Sequence, residues 1–131
     1  DPCPMKQACV LVVDDSPINQ MMMSELLEDL KLNVDTANNG QEAVTCCEHK
    51  AYDIVFMDLE MPVMDGHEAV VKIRQDLKFF NPIIALTAHD KGNIIKALRK
   101  QGFSGFLKKP ASEEELSRLV YSILPSVREN S

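Results

Sequence analysis

The residues of this chain that could do chemistry stand where apolar runs stop. Val10-Leu11-Val12-Val13 gives way to Asp14-Asp15, and Ile54-Val55-Phe56-Met57 to Asp58. Ile83-Ile84-Ala85-Leu86 ends at Thr87, and the shorter Phe106-Leu107 at Lys108-Lys109-Pro110. If these runs are parallel strands of one sheet, their carboxyl ends share the edge at which open α/β sheets hold their ligands. Asp14, Asp15 and Asp58 then meet the Thr87 hydroxyl and the Lys109 amine. Carboxylates brought that close repel unless protons or a cation compensate. A hard divalent cation such as Mg²⁺ takes oxygen ligands, keeps several waters and is typically held by one or two carboxylates. A metal, a lysine and a hydroxyl donor around one nucleophilic carboxylate are the parts of an in-line phosphoryl transfer. Asp58 is the candidate nucleophile, being single, central and flanked by the others.

Positioning these groups requires the elements between them. Strand-length apolar runs alternate with segments of helical period, the pattern of repeated βα units and a parallel sheet covered on both faces. Ser16 can cap a helix that has Pro17 in its first turn and Ile18, Met22, Leu26, Leu27 and Leu30 at helical spacing, ending near Lys31. Asn33 to Ala37 is shorter and more polar, as an edge strand would be. Asn39-Gly40 could turn a hairpin, but Gln41 to His49 holds helix formers and reads as a second helix. Met61 to Gly66 is a loop, followed by a helix from His67 to Asp76 with Ala69, Val70 and Ile73 inward. Asn93 to Gln101 is a fourth helix closed by Gly102. Ser112 and Glu115 form a capping box for a last helix carrying Leu116, Leu119, Val120, Ile123 and Leu124, with Pro125 ending it. Five strands and five helices in strict alternation predict an α/β fold: a five-stranded parallel sheet, doubly wound, in the flavodoxin-like order 2-1-3-4-5 with helices on both faces.

The whole chain bounds the rest. Its 131 residues fit one domain, and 45% hydrophobic with 26% charged residues is the composition of a globular protein. No apolar stretch approaches the roughly 20 residues that span a bilayer, and Asp1-Pro2-Cys3-Pro4 lacks the features of a secretion signal. A cytoplasmic location is the expectation, without direct contact with a membrane. The net charge of −6 argues against binding the phosphate backbone of nucleic acid. Cys3, Cys9, Cys46 and Cys47 show no C-x-x-C spacing and no paired His, so reduced thiols are expected, the Cys46-Cys47 pair filling a helix face. The chain does not begin with Met and opens on a Pro-punctuated linker, so it reads as a piece of something longer.

Several residues read as structural. Asp65-Gly66 is a turn and cap before the third helix. His49, His67 and His89 read as solvated surface residues, since no His pair has metal-site spacing. Met21-Met22-Met23 reads as core filler and helix face. Asp15 alone would suit a helix cap, but the conjunction of all these residues at the same strand ends is hard to produce by chance.

Val13-Asp14-Asp15, Asp58-Leu59-Glu60-Met61-Pro62-Val63-Met64-Asp65-Gly66, Leu86-Thr87-Ala88 and Lys109-Pro110 together resemble the receiver domain of two-component response regulators. The resemblance runs from about Ala8 to Leu124 and implies a linker over 1–7, a receiver domain over 8–125 and a tail over 126–131. It implies that Asp58 accepts a phosphoryl group from a phosphohistidine on a histidine kinase or a histidine phosphotransfer protein. It implies a Mg²⁺ site in which Asp15 is a direct ligand, Asp14 acts partly through water, and Asp58 and the Glu60 carbonyl complete the protein ligands. Thr87 and Lys109 would contact the phosphoryl oxygens, across a Lys109-Pro110 bond expected to be cis. Thr87 would couple to Phe106, which turns inward and, lacking the Tyr hydroxyl often found there, relies on burial alone. Phosphorylation adds charge and acceptor oxygens that bias the face of the fourth helix, fifth strand and fifth helix, where Ile94, Ile95 and Leu98 lie and a second copy could pair. Glu60 and His89 would tune the lifetime of the phosphoryl group, which the domain also slowly hydrolyses.

Asp14-Asp15-Ser16-Pro17-Ile18-Asn19 looks most like receiver modules attached to hybrid sensor histidine kinases. No kinase core or helix-turn-helix follows the last helix in this sequence, so an output module, if any, is expected to be missing or in another chain. Two rivals stay open. A Mg²⁺-dependent phosphatase with an aspartyl nucleophile usually needs a second Asp two residues on, where Glu60 stands here. A pseudo-receiver that binds partners without phosphorylation would have no use for the complete acid set.

Overall fold

Alternation of apolar strands with capped helices builds the sheet that the sequence predicts. The computed structural model describes residues 8–59, 64, 66–79, 81–87, 92–108 and 112–123, with the side chains of 92–95 outside the description. In chain order the elements are β1 (Cys9–Val13), α1 (Pro17–Asp29), β2 (Asn33–Ala37), α2 (Gly40–His49), β3 (Ile54–Asp58), α3 (Gly66–Asp76), β4 (Ile83–Thr87), α4 (Gly92–Gln101), β5 (Gly105–Lys108) and α5 (Glu113–Ile123). The strands pair in parallel in the order β2-β1-β3-β4-β5. Every residue of β3 and β4 is buried, as unbroken apolar runs demand of strands covered on both faces, whereas the polar β2 lies at the edge.

Side chains alternate between two core layers. Leu11, Val13, Val55, Met57, Ile83 and Ala85 pack with Ala43 and Val44 of α2, Ala69, Val70 and Ile73 of α3 and Leu98 of α4. Val10, Val12, Ile54, Phe56, Ile84, Leu86 and Leu107 pack with Met23 and Leu27 of α1 and Leu116 and Val120 of α5. The sheet is therefore wound on both sides.

Caps set where the helices begin and end. The Ser16 hydroxyl accepts the Asn19 N–H at 3.4 Å and Pro17 occupies the first turn of α1. Asn39 accepts the Glu42 N–H at 2.9 Å, so Asn39-Gly40 starts a helix instead of turning a hairpin. In α5 the Ser112 hydroxyl accepts the Glu115 N–H at 3.1 Å while the Glu115 carboxylate reaches back to the Ser112 N–H at 3.4 Å, the expected capping box. Gly102 follows α4 at φ 120°, and a Cβ there would stand 3.0 Å from Arg74 Cγ.

Three expectations change. Ile18 (65% exposed), Met21 (56%) and Met22 (49%) face outward, while Met23 and Leu27 carry the buried stripe of α1. The first turns of α1 stand at the carboxyl edge, beyond the strand side chains that could cover them. The helix also ends at Asp29, with Leu30 capping and Lys31 at φ 68°. Finally, His67 is half-buried with Nδ1 2.5 Å from Gln101 Oε1 and its ring edge-on to Phe103. It ties α3 to α4 and is no solvated surface residue; His49 is exposed as expected, and His89 lies outside the described residues.

Cys9, Cys46 and Cys47 form no disulfide, and burial raises the thiol pKa of Cys46 and pushes that of Cys47 up to about 12. Both helical cysteines pack against the core as protonated thiols. Among the described residues no helix is long and apolar enough to cross a membrane.

Candidate functional site

Register places the acids before any side chain is considered. β1 and β3 pair with Val13 opposite Met57, so Asp14 and Asp58 leave the sheet side by side. β3 and β4 pair with Asp58 opposite Leu86, which puts Thr87 one step beyond, and Thr87 in turn pairs with Lys108 of β5. Ligand oxygens of Asp14, Asp15 and Asp58 all lie within 4.8 Å of one another. Asp14, Asp58 and Thr87 are only 1%, 3% and 4% exposed, while Asp15 is open to solvent.

Local geometry holds this arrangement. Asp14 Oδ1 accepts the Ser16 N–H at 2.9 Å, a turn that starts α1 directly after the acids. The Asp14 N–H donates to the Ala37 carbonyl at 3.1 Å and adds a rung past the end of β1. Leu59 N–H to the Leu86 carbonyl, at 3.2 Å, does the same for β3 against β4. Gly66 N–H closes the following loop onto the Leu59 carbonyl at 3.2 Å, and a Cβ on Gly66 would fall 2.4 Å from the Asp58 carbonyl oxygen. Asp65 lies outside the described residues, so the expected Asp65-Gly66 turn is seen only at Gly66, whose backbone is pressed against that of the phosphoacceptor candidate.

Like charges gathered at this separation repel by several kcal/mol at intermediate dielectric. The donor set is all oxygen, two acids are buried and one is open to water, which suits a hard divalent cation that keeps part of its hydration. Of the residues expected here, the structure brings together Asp14, Asp15 and Asp58, with Thr87 on the neighbouring strand end. Lys109, Pro110 and Glu60 lie outside the described residues. Phe106 is half-buried on β5 opposite Ala85, against a small hollow lined also by Leu98, Arg99, Phe103 and Gly105. Leu98 itself is buried in the core, and the side chains of Ile94 and Ile95 are outside the description.

The acid cluster, Thr87 and the strand order agree with a match of residues 10–121 to the response regulator receiver domain. The chain belongs to that family. The sensor protein GacS of Pseudomonas syringae pv. syringae is 40% identical over 115 residues, which are 85% of this chain and 13% of that protein. The chain thus spans a small part of the curated relatives it matches, several of which are sensor histidine kinases. Among solved structures, the receiver domain of the Pseudomonas aeruginosa sensor histidine kinase PA1611, with magnesium ion coordinated in its active site cleft, is 31% identical at TM-score 0.81, covering 92% of this chain and 99% of that one. The receiver domain of a Saccharomyces cerevisiae response regulator, crystallised with a histidine phosphotransfer protein, is 31% identical at TM-score 0.83, covering 88% and 87%.

Sequence reasoning missed two positions in this receiver domain. Gly66 was read without its contact to Asp58. Gln20, in the first turns of α1, sends its side-chain amide to the Asp14 and Ala37 carbonyls, and no local pattern announces it.

Proposed function

We propose that this receiver domain takes a phosphoryl group onto Asp58 from a phosphohistidine of a histidine kinase or histidine phosphotransfer protein. The convergence of Asp14, Asp15 and Asp58 within 4.8 Å carries the reading. A carboxylate oxygen of Asp58 attacks phosphorus as the phosphorus–nitrogen bond to the donor imidazole breaks, the leaving nitrogen keeping the electron pair. Asp14, Asp15 and Asp58, with the Glu60 carbonyl, would hold Mg²⁺, which supplies charge neutralisation to the transferring group. Thr87 donates its hydroxyl to a phosphoryl oxygen, and Lys109 offers its ammonium to another. The magnesium-bound receiver of PA1611 and the receiver solved with a phosphotransfer protein support the cofactor and the partner. Exposed Ile18, Met21 and Met22 form one stripe on α1 beside the acid edge and give that partner an apolar foothold.

Movement of Thr87 toward the phosphoryl group frees space that Phe106 fills, altering the face formed by α4, β5 and α5. The whole module works in the cytoplasm, as part of a phosphorelay that includes a hybrid kinase.

Incubation with Mg²⁺ and acetyl phosphate, followed by intact-protein mass spectrometry, tests this. One added phosphoryl group on wild type and none on Asp58→Ala is expected. No addition to wild type, or equal addition to both, overturns the proposal. Steady turnover of a phosphomonoester would instead favour the phosphatase reading.

A further inference from the structure

We propose that Gln20 is a positioning residue of the acid loop: its side-chain amide pins the peptide plane joining Asp14 to Asp15 and thereby aims Asp15 at the cation. This rests on the function proposed above. Gln20 Nε2 donates to the Asp14 carbonyl at 2.5 Å, the Ala37 carbonyl at 3.0 Å and Asn38 Oδ1 at 2.9 Å. An amide has two hydrogens, so the three acceptors share them. The Asp14 carbonyl belongs to the peptide unit that carries the Asp15 N–H, so fixing it fixes the direction in which Asp15 departs. The Ala37 carbonyl also accepts the Asp14 N–H at 3.1 Å. Gln20 therefore spans the last rung between β1 and β2, anchored to both strands.

Asp15 is the acid that needs such help. Asp14 is buried and turn-bonded, and Asp58 ends a fully buried strand, whereas Asp15 is exposed past the last residue of β1. A loop free to reorient would pay its ordering entropy at the moment of metal binding, while a latched loop has lost it on folding. The anchor reaches farther. The Asn38 N–H and Nδ2 both donate to Glu42 Oε1, at 3.0 and 3.1 Å, and the Glu42 N–H donates to Asn39 Oδ1. The first turn of α2 thus holds the residue that the latch holds.

Calorimetric titration with MgCl₂ alone, on wild type, Gln20→Met, Gln20→Glu and Tyr52→Phe, tests the proposal. Gln20→Met keeps the length and removes the donors, and should weaken Mg²⁺ about tenfold, as supporting groups of metal ligands typically do. Gln20→Glu turns an anion toward two carbonyl oxygens and should weaken it further. Tyr52→Phe loses a hydrogen bond to Asp35, a bond that joins the entry to β3 to the middle of β2, and should lower Tm while leaving Mg²⁺ affinity alone. The ¹⁵N–¹H signal of Asp15 in metal-free protein should shift in both Gln20 variants and stay put in Tyr52→Phe. Wild-type Mg²⁺ affinity in Gln20→Met, or an equal loss in Tyr52→Phe, overturns the latch. If wild type itself takes up no Mg²⁺ and no phosphate, the function reading fails, and the Asp15 signal still judges the latch: no shift in Gln20→Met overturns it.

Discussion

The two edges of the sheet treat charge in opposite ways. At the amino edge, the Arg74 guanidinium at the end of α3 donates to the carbonyls of Gly102 (2.9 Å), Phe79 (2.9 Å) and Asn81 (2.7 Å) and to Ser104 Oγ (3.2 Å). Asp53 accepts the Cys9 N–H at 2.8 Å, and Asn81 Nδ2 donates to the Tyr52 carbonyl at 2.8 Å. Arg74 and Asp53 thus meet dipoles of matching sense, and the loops entering β1, β4 and β5 are fastened. Burial lowers the Arg74 pKa, but a guanidinium stays charged through the physiological range. At the carboxyl edge, three anions are gathered within 4.8 Å. Folding gains nothing by bringing like charges together. The amino edge is built for stability and, on the function proposed above, the carboxyl edge for a ligand, and substitutions should separate the two.

The largest separation is expected at Asp58. Asp58→Asn removes the proposed nucleophile and should abolish phosphorylation by acetyl phosphate, yet without Mg²⁺ it should raise stability in urea by roughly 1 kcal/mol. That is a fraction of the about 3 kcal/mol by which two charges repel at such a separation near a protein surface. A destabilised Asp58→Asn protein would break the contrast. Arg74→Ala is the mirror case: loss of the fork should cost about 3 kcal/mol in urea unfolding while the folded fraction still takes phosphate at the wild-type rate.

Gly66→Ala comes next and crosses the two behaviours. Its Cβ would meet the Asp58 carbonyl oxygen at 2.4 Å, a backbone atom that cannot swing aside, so the strand end or α3 must shift. A loss of about 2 kcal/mol is expected, as for other overpacked sites, together with slower phosphorylation, because the shift moves Asp58. Stability lost with an unchanged phosphorylation rate would show that the acid edge tolerates displacement.

How much of this was legible beforehand follows from the range of each interaction. Strands buried on both faces write themselves as unbroken apolar runs, so β3 and β4 and the acids at their ends stand out, and β2 was read at its observed bounds because an edge strand turns polar. Caps act over three residues, and Ser16 and Ser112 cap where the pattern puts them, whereas the cap at Asn39 was not read from the sequence. Periodicity could not choose between two interleaved stripes on α1, Ile18-Met22 and Met23-Leu27, since both recur every fourth residue and only the sheet decides. His67 with Gln101, Gln20 with Ala37 and Gly66 with Asp58 are contacts between elements, and a glutamine or glycine looks the same with or without them.

The smallest effect is expected at a carboxylate held by a cation and a phenol instead of gathered with other acids. Asp35 on β2 accepts from Lys50 Nζ at 3.0 Å and from the Tyr52 hydroxyl at 2.8 Å, and these bonds, that of Lys50 foremost, hold its pKa below the ordinary 3.8. Burial, and then Asp35 itself, push the Tyr52 phenol far above 10.0. The signs follow from linkage. Asp35 contributes stability that is present above its unfolded pKa and is lost as pH falls below 3.8 toward its folded value. Tyr52 contributes stability that is whole below 10.0 and is lost as pH rises toward its folded value. Tyr52→Phe should cost about 1 kcal/mol at neutral pH. It should erase the alkaline decline attributable to the phenol and only shrink the acid one, because Lys50 still holds Asp35. Lys50→Met should do the reverse, weakening the acid decline more and keeping the alkaline one, with a small, salt-sensitive cost at neutral pH because the ion pair is half-exposed. Thermal melts of the three proteins from acid to alkaline pH read both arms. An alkaline decline of unchanged size in Tyr52→Phe would mean that the phenol is not the titrating group, and an acid decline of unchanged size in Lys50→Met would mean that Asp35 is secured by something other than Lys50.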